Sequence, residues 1–497
     1  MTNNKVSRNA MIDCSLCNDA PCSSACPQLD TAKLLRSIWF DNEACAVNSL
    51  PAEDPCTACD APCEEKCVRP GRVPIRDIIS RLYKEKDFGN TVIKSEEGNR
   101  LAADICGVPL ENPFLLSSSV VASTYDMCAR AFEAGWAGAV FKTVCPFDIH
   151  EASPRFAAVT GDTGSFIGFK NIEQLSEKTV DENMDIVRRL KEKYPDKAMI
   201  VSIMGRNEAE WEELSLVCQE AGADGVELNF SCPNMADDGL GSDTGQVPEL
   251  VEKFTAAAKR GCIIPVIAKL TPNVANMSEA AEAAKRGGAD GISAINTIKS
   301  VMGVDTDTFV SSPDVNGMSA VGGYSGRAVK PIALRFITEL GHNSDLKGMH
   351  ISGIGGIETW RDALEFMLLG AGSVQVTTAV MKYGYRIIED LVSGLDLYIT
   401  QKGYANVSDV IGLGLPYVSG TTDALERDSV VFPMFDREKC TGCGRCVISC
   451  RDGGHQALGM SGERRIIMDG KKCVGCHLCT LVCPEGAVRA GTKRIKR

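Results

Sequence analysis

An α/β protein built on a TIM (β/α)8 barrel is what this sequence predicts, and three observations carry the prediction. Eight short apolar segments of strand length alternate with helical ones between about residues 96 and 400. The turns that lead into several of them repeat a small-residue signature: Ala221-Gly-Ala-Asp-Gly225, Gly287-Gly-Ala-Asp-Gly291 and Gly370-Ala-Gly372. The 23 cysteines are sparse in this middle and crowd into the first 67 and the last 58 residues. The chain is therefore expected to divide into an α-helical, cysteine-rich domain at 1–95, the barrel at 96–400, a linker at 401–435 and a second cysteine-rich domain at 436–497.

The first cysteine group is Cys14-x2-Cys17-x4-Cys22-x3-Cys26, followed by Pro27, and the second is Cys56-x2-Cys59-x3-Cys63-x3-Cys67. Short loops of this kind fold several sulfurs toward one point, which suits the corners of an iron–sulfur cube. Zinc also accepts Cys-x2-Cys pairs. The third and fourth cysteines that closely follow each pair favour iron–sulfur.

In the middle, strands are expected at 113–119, 138–144, 198–204, 225–230, 265–270, 291–297, 348–354 and 373–379, with helices such as 249–259 and 277–285 between them. Eight β/α units close into a barrel of ordinary size. An open doubly wound sheet would carry a nucleotide fingerprint after its first strand, where this chain has Ser117-Ser-Ser-Val-Val121. Barrel chemistry collects where strands end. Those positions hold Ser118, Lys142, Thr143, Asn229, Cys232, Lys269, Asn296, Thr297, Gly355, Gly356, Thr377 and Thr378, a polar set that a structural core does not require. After the last two strands, Ser352-Gly-Ile-Gly-Gly356 with Thr377 and Thr378 reads as a phosphate cradle of backbone N–H groups and hydroxyls.

The carboxyl end gives the strongest signal. Cys440-x2-Cys443-x2-Cys446-x3-Cys450 is followed by Cys473-x2-Cys476-x2-Cys479-x3-Cys483-Pro484. This duplicated run is the bacterial ferredoxin pattern for two [4Fe–4S] clusters, in which the fourth cysteine of each run crosses to the other cluster. Cys440, Cys443, Cys446 and Cys483 are then one ligand set, and Cys473, Cys476, Cys479 and Cys450 the other.

A formal charge of -12 argues against a nucleic-acid-binding surface. The basic end, from Lys493 on, is short and reads as solvated. No apolar run approaches the roughly 20 residues of a membrane span, and the first 13 residues lack a signal core. A cytoplasmic protein is expected. Disulfides are rare there, so the cysteines need the metal explanation.

Five stretches, Asn229-Phe-Ser-Cys-Pro233, Ala268-Lys-Leu-Thr-Pro-Asn273, Ile295-Asn-Thr297, Gly322-Gly-Tyr-Ser-Gly326 and Asn171-Ile-Glu-Gln-Leu-Ser-Glu-Lys-Thr179, together resemble the FMN barrel of the dihydropyrimidine dehydrogenase family, in particular its bacterial NAD-dependent form. Cys59-Asp-Ala-Pro-Cys63-Glu-Glu-Lys-Cys67 and Val73-Pro-Ile-Arg-Asp-Ile-Ile79 resemble the cluster domain that this family shares with the glutamate synthase small subunit. The resemblance implies FMN held by Ser118, Lys142, Thr143, Asn171, Asn229, Lys269, Gly326, Gly355, Gly356, Thr377 and Thr378. It implies a pyrimidine base contacted by Asn171, Glu173, Asn229, Asn296 and Thr297, and Cys232 as the general acid that protonates C5. Residues 235–242 would close over the substrate. Of the amino-terminal cysteines, Cys14, Cys17, Cys22 and Cys67 would hold one [4Fe–4S] cluster, and Cys26, Cys59 and Cys63 part of another. The family's remaining ligand is a downstream glutamine, which this chain lacks there; Cys56 could replace it.

These features imply a catalytic subunit that reduces uracil and thymine. The chain has no dinucleotide fingerprint, so an FAD- and NAD(P)H-binding flavoprotein partner or a ferredoxin is expected to supply electrons, in a homo- or hetero-oligomer. In the bacterial relatives the amino-terminal cluster module normally belongs to that partner. Two rivals stand. A dihydroorotate dehydrogenase shares barrel, FMN and cysteine, and Asn234 favours it, but the Glu173 anion would repel orotate and the two ferredoxin-like clusters also argue against it. A pure electron-transfer subunit would not need the polar strand ends.

Overall fold

The computed structural model describes residues 14–85, 99–161, 166–235 and 239–495. The first thirteen residues and the last two of the basic end lie outside the described residues. The chain forms two compact units, one reaching to Val418 and one beginning at Ser419.

Eight parallel strands close the barrel of the first unit: β1 Phe114–Leu116, β2 Gly138–Val144, β3 Ala198–Ile203, β4 Gly225–Phe230, β5 Val266–Leu270, β6 Gly291–Ala294, β7 His350–Ile354 and β8 Ser373–Val376. They follow one another around the ring, and β8 pairs with β1 through Val374 and Phe114. All eight expected strands are present. The sequence reading runs past the ladder at the carboxyl ends of β1, β6 and β8. The extra residues include Ser117 to Ser119, Asn296, Thr297, Thr377 and Thr378; several of them leave the sheet for side-chain partners, Asn296 donating to Ser231 Oγ and Ser119 Oγ lying 3.2 Å from Thr377 Oγ1. A short hairpin, Ala103–Ile105 with Val108–Leu110, packs Ile105 and Leu110 against Leu115, Val140, Ile200 and Ile267 and plugs the opposite, amino-terminal end of the ring. Helices cover the outside, including Pro248–Gly261 and Ser278–Arg286 where helices were expected. Among the described residues, no helix is long and apolar enough to cross a membrane.

One feature was not foreseen. The connections after β2 and β6 contribute a four-stranded antiparallel sheet, in the order Ile298–Ser300, Gly322–Ser325, Phe166–Asn171, Phe156–Thr160. Asn171 closes one of its strands and pairs with Gly323. The fully buried Lys170 beside it ties down the intervening loop, donating to the carbonyls of Ser312 at 3.0 Å and Ala320 at 2.7 Å.

The amino-terminal residues are helical, as expected, with helices Pro21–Ala25, Thr31–Trp39, Glu43–Asn48, Pro62–Glu65 and Ile75–Glu85. They share an apolar core of Leu34, Leu35, Ile38, Val47, Ile78 and Leu82. Their docking on the barrel centres on one buried carboxylate. Asp390 accepts from Arg36 Nε at 2.8 Å and from Ser37 Oγ at 2.7 Å, while Asn42 Nδ2 reaches Ser393 Oγ at 2.9 Å. Arg386 holds the first cysteine loop through the carbonyls of Leu16 and Cys17.

The stretch 401–435, read as a linker, is divided. Its first part packs on the barrel through buried Val407 and Val410, and Gly412 N–H donates to Met367 O at 2.9 Å. Its last part is the strand Ser429–Phe435, which pairs antiparallel with Val488–Ile495 in the second unit. There the two cysteine runs repeat one geometry. Cys440 N–H donates to Asp436 O and Cys473 N–H to Asp469 O, each at 3.1 Å. Gly442 and Gly475 occupy matching left-handed turns, with φ of +67° and +73°.

Candidate functional site

Every barrel residue singled out from sequence lines a single cleft at the carboxyl ends of the strands: Ser118, Lys142, Thr143, Asn171, Glu173, Asn229, Cys232, Lys269, Asn296, Thr297, Gly326, Gly355, Gly356, Thr377 and Thr378. The cleft encloses about 1090 Å³ including its open mouth. Residues 236–238, the centre of the stretch expected to close over it, lie outside the described residues.

The floor is a hydrogen-bonded chain on β2, β3, β4 and β6. Asn296 Nδ2 donates to Ser231 Oγ at 3.1 Å, Ser231 Oγ to Asn229 Oδ1 at 2.8 Å, and Asn229 Nδ2 to Thr143 Oγ1 at 2.9 Å. Thr143 Oγ1 in turn lies 2.9 Å from Ser202 Oγ. A linked chain of this kind fixes each carboxamide's orientation. Deeper in the barrel, Lys269 Nζ donates to Ser118 Oγ at 2.8 Å and lies 3.3 Å from Glu227 Oε1. Gln375 Nε2 donates to Glu227 Oε2 at 3.1 Å. Glu227 is wholly buried, so the lysine charge is held in place by a partner without solvent competition.

Cys232 sits at the end of β4, 6 % exposed. Burial pushes its thiol up to about 11; the Asn234 backbone N–H, Lys269 and Lys142 pull in the opposite direction and Glu151 adds to the rise. The thiol is therefore protonated across the neutral range. Glu173 lies 3.1 Å from Arg155 Nη1 and 3.5 Å from Lys142 Nζ. Its charge is thus compensated, which removes the repulsion of an anionic substrate expected from sequence. Asn234 Nδ2 donates to Asn171 Oδ1 at 3.2 Å and to Glu173 O at 2.6 Å.

At the far side, Gly326, Gly355 and Gly356 all have positive φ. A Cβ on Gly356 would lie 2.7 Å from Gly326 O, and one on Gly355 would lie 2.8 Å from Ala333 Cβ. Thr377 Oγ1 is 3.2 Å from Ser119 Oγ, and Thr378 Oγ1 is 3.0 Å from Ser325 Oγ. Two buried acceptors on the cleft wall, Gln375 Oε1 and Asn234 Oδ1, have no partner among the described residues. Unpaired buried acceptors cost stability unless a ligand satisfies them.

The sequence reading missed Glu227, Gln375, Gln174, Glu151 and Arg155. Glu227 and Gln375 had a visible signal, a charge and an amide inside otherwise apolar strands. Glu151 and Arg155 lie in a connection without periodicity and had none.

The cysteines also gather. In the first unit, Cys14, Cys17, Cys22 and Cys67 line one cavity, and Cys26, Cys56, Cys59 and Cys63 line another of about 390 Å³. In the second unit, Cys440, Cys443, Cys446 and Cys483 line a cavity of about 340 Å³, and Cys450, Cys473, Cys476 and Cys479 one of about 350 Å³. Cys483 thus lies with the first carboxyl-terminal run and Cys450 with the second.

Comparison with known proteins bears on both units. Residues 100–398 match the dihydroorotate dehydrogenase family, and residues 434–490 match a 4Fe-4S dicluster domain. The NAD-dependent dihydropyrimidine dehydrogenase subunit PreA of Escherichia coli (strain K12) is 52% identical over 365 residues, which is 73% of this chain and 89% of that protein. The chain belongs to the dihydropyrimidine dehydrogenase family. Among other members of the wider group, the chloroplastic dihydropyrimidine dehydrogenase (NADP(+)) of Arabidopsis thaliana is 36% identical over 351 residues, covering 68% of this chain and 82% of that one. The catalytic subunit of dihydroorotate dehydrogenase B (NAD(+)) from Pyrococcus abyssi (strain GE5 / Orsay) is 36% identical over 319 residues, 63% of this chain and 99% of that one. As a dihydropyrimidine dehydrogenase family member the chain is an oxidoreductase, and its second unit is a 4Fe-4S dicluster domain.

Proposed function

We propose that the chain is the catalytic subunit of a dihydropyrimidine dehydrogenase, interconverting uracil or thymine with the 5,6-dihydro form. The observation that supports this best is the buried, protonated Cys232 set in one cleft with Asn171, Asn229, Asn296 and Thr297. A uracil ring presents alternating N–H and C=O groups, and carboxamides carry both a donor and an acceptor to match them.

The cleft suits FMN. Gly326, Gly355 and Gly356, where backbone packs too closely for a side chain, would hold its phosphate through their N–H groups, with Thr377 and Thr378 beside them. Lys269 brings a fixed positive charge, Gln375 Oε1 an unused acceptor, and Ser118, Lys142, Thr143, Asn171 and Asn229 complete the wall. When bound, FMN supplies two-electron exchange with the C5–C6 bond, and 4Fe–4S centres supply electrons singly. The chain's own residues do the rest. Asn171, Asn229, Asn296 and Thr297 orient the ring, with Glu173 held ready by Arg155 and Lys142. Cys232 Sγ gives its proton to C5, and the thiolate left behind lies in the field of Lys142 and Lys269. In the oxidising direction the same sulfur takes the proton back.

The proposed 4Fe–4S ligands are Cys440, Cys443, Cys446 and Cys483 for one centre and Cys473, Cys476, Cys479 and Cys450 for the other. In the first unit they are Cys14, Cys17, Cys22 and Cys67 for one centre, and Cys26, Cys59 and Cys63 for part of a second. A relative named as a subunit of an NAD-dependent enzyme supports a separate NAD(P)H-oxidising flavoprotein as donor, with a ferredoxin as the alternative. The second reading, a dihydroorotate dehydrogenase, is favoured by Asn234 and by the compensated charge of Glu173. Anaerobic mixing of dithionite-reduced protein with uracil, thymine or orotate separates them. Reoxidation by uracil and thymine is expected; reoxidation by orotate alone would replace the first reading with the second. A chain that only relays electrons would release no FMN on denaturation.

A further inference from the structure

We infer that Cys56 completes the second amino-terminal centre, so that all four of its ligands are thiolates. This rests on the proposal that the amino-terminal cysteines hold iron–sulfur cubes. It departs from the mixed thiolate–amide set that resemblance to the family implies.

The cavity itself carries the inference. Cys26, Cys56, Cys59 and Cys63 line about 390 Å³. The two carboxyl-terminal cavities, in a matched 4Fe-4S dicluster domain, measure about 340 and 350 Å³ and are likewise lined by four cysteines each. All three offer the same number of sulfurs in small cavities of similar volume. The walls agree as well: Leu29, Ala61, Pro62 and Ile79 give the amino-terminal cavity a mainly apolar lining.

The backbone repeats the pattern. Ala61 N–H points at Cys59 Sγ at 3.4 Å, as Ala457 N–H points at Cys450 Sγ and Ala487 N–H at Cys483 Sγ, both at 3.3 Å. Such N–H groups stabilise charge on a cluster's sulfurs.

Cys56 is held in place rather than left at the cavity's edge. Its N–H donates to Asp54 Oδ1 at 2.8 Å, and Asp54 Oδ2 accepts from Ser80 Oγ at 3.0 Å, which fastens the turn to the helix Ile75–Glu85. The side chain is buried. The rival is Gln28, the one carboxamide lining the cavity; it is exposed. A buried thiolate is the stronger iron ligand. Four thiolates carry one more negative charge than three with an amide, which lowers the centre's midpoint potential. Arg76 Nη1, 3.0 Å from Cys59 O, brings a cation to the same wall and offsets part of that charge.

The test uses the full chain, purified anaerobically, with iron and sulfide counted and EPR recorded before and after dithionite. The unaltered chain is expected to hold about 16 iron atoms, four per cube. A count of about 8 would remove the amino-terminal cages altogether, a failure of the underlying proposal that is distinct from a wrong fourth ligand. Given the full count, Cys56→Ala should lose about four irons or convert one centre to a three-iron form visible by EPR in the oxidised protein. Gln28→Ala should change neither count nor spectrum. Cys56→Gln, which retains a donor atom and guards against simple misfolding, should keep a four-iron centre with its midpoint shifted upward. Unaltered iron and spectra in Cys56→Ala, an unmoved midpoint in Cys56→Gln, or iron lost in Gln28→Ala would each overturn the assignment.

Discussion

The raised thiol of Cys232 makes the two directions of the reaction respond differently to pH. Reduction of the pyrimidine consumes the protonated form and oxidation of the dihydro base consumes the thiolate. An ordinary thiol near 8.5 is about half ionised at pH 8.5, whereas one at about 11 is ionised to only about 0.3%. Reduction should therefore run flat from neutrality to about pH 9.5, because the acid form is not depleted there. Oxidation of dihydrouracil should climb about tenfold per pH unit over the same interval, following the growing thiolate. Single-turnover stopped-flow measurements on the anaerobic protein, pre-reduced for one direction and oxidised for the other, read both slopes at the flavin absorbance band. A fall in reduction centred near pH 8.5, or a plateau in oxidation above it, would show that burial does not raise this thiol and that the acid has been misassigned.

Two other outcomes follow from the cleft. Lys269→Met leaves the buried Glu227 carboxylate without its cation; with Ser118 and Gln375 still donating to it, the cost should be about 3 kcal/mol in urea unfolding, and adding Glu227→Gln should recover most of that loss. Strictly additive costs would show that the two are not a pair. Gly356→Ala places a Cβ 2.7 Å from Gly326 O at a φ of +77°, so FMN retained through gel filtration should fall about tenfold, while the iron count stays unchanged.

The barrel was legible because each parallel strand is covered on both faces and therefore reads as an unbroken apolar run. Its rim was legible for the opposite reason, since polar residues at six of the eight strand ends have no role in a core. The antiparallel sheet over the cleft was hidden. Its strands are three to six residues long, two of the four carry glycine, and no period marks them. Charge balance was hidden too. Glu173 reads as a bare anion until the fold brings Arg155 and Lys142 beside it, and Lys269 as a bare cation until Glu227 meets it across the barrel. Spacing alone grouped Cys14 with Cys17 and Cys22, but the choice of Cys56 over a carboxamide needed the cavity walls.

The junction at Asp390 bears on the centres proposed for the amino-terminal cysteines. Three side chains from the amino-terminal helices converge on that carboxylate and its neighbour Ser393, and Arg386, four residues earlier, grips the loop between Cys14 and Cys17. A carrier on a tether must find its dock afresh in every cycle, and ions in solution weaken that search. The centres proposed for the amino-terminal cysteines would instead stand at a fixed place on the barrel. Salt is therefore expected to leave the passage of electrons between the proposed amino-terminal centres and the barrel unaffected.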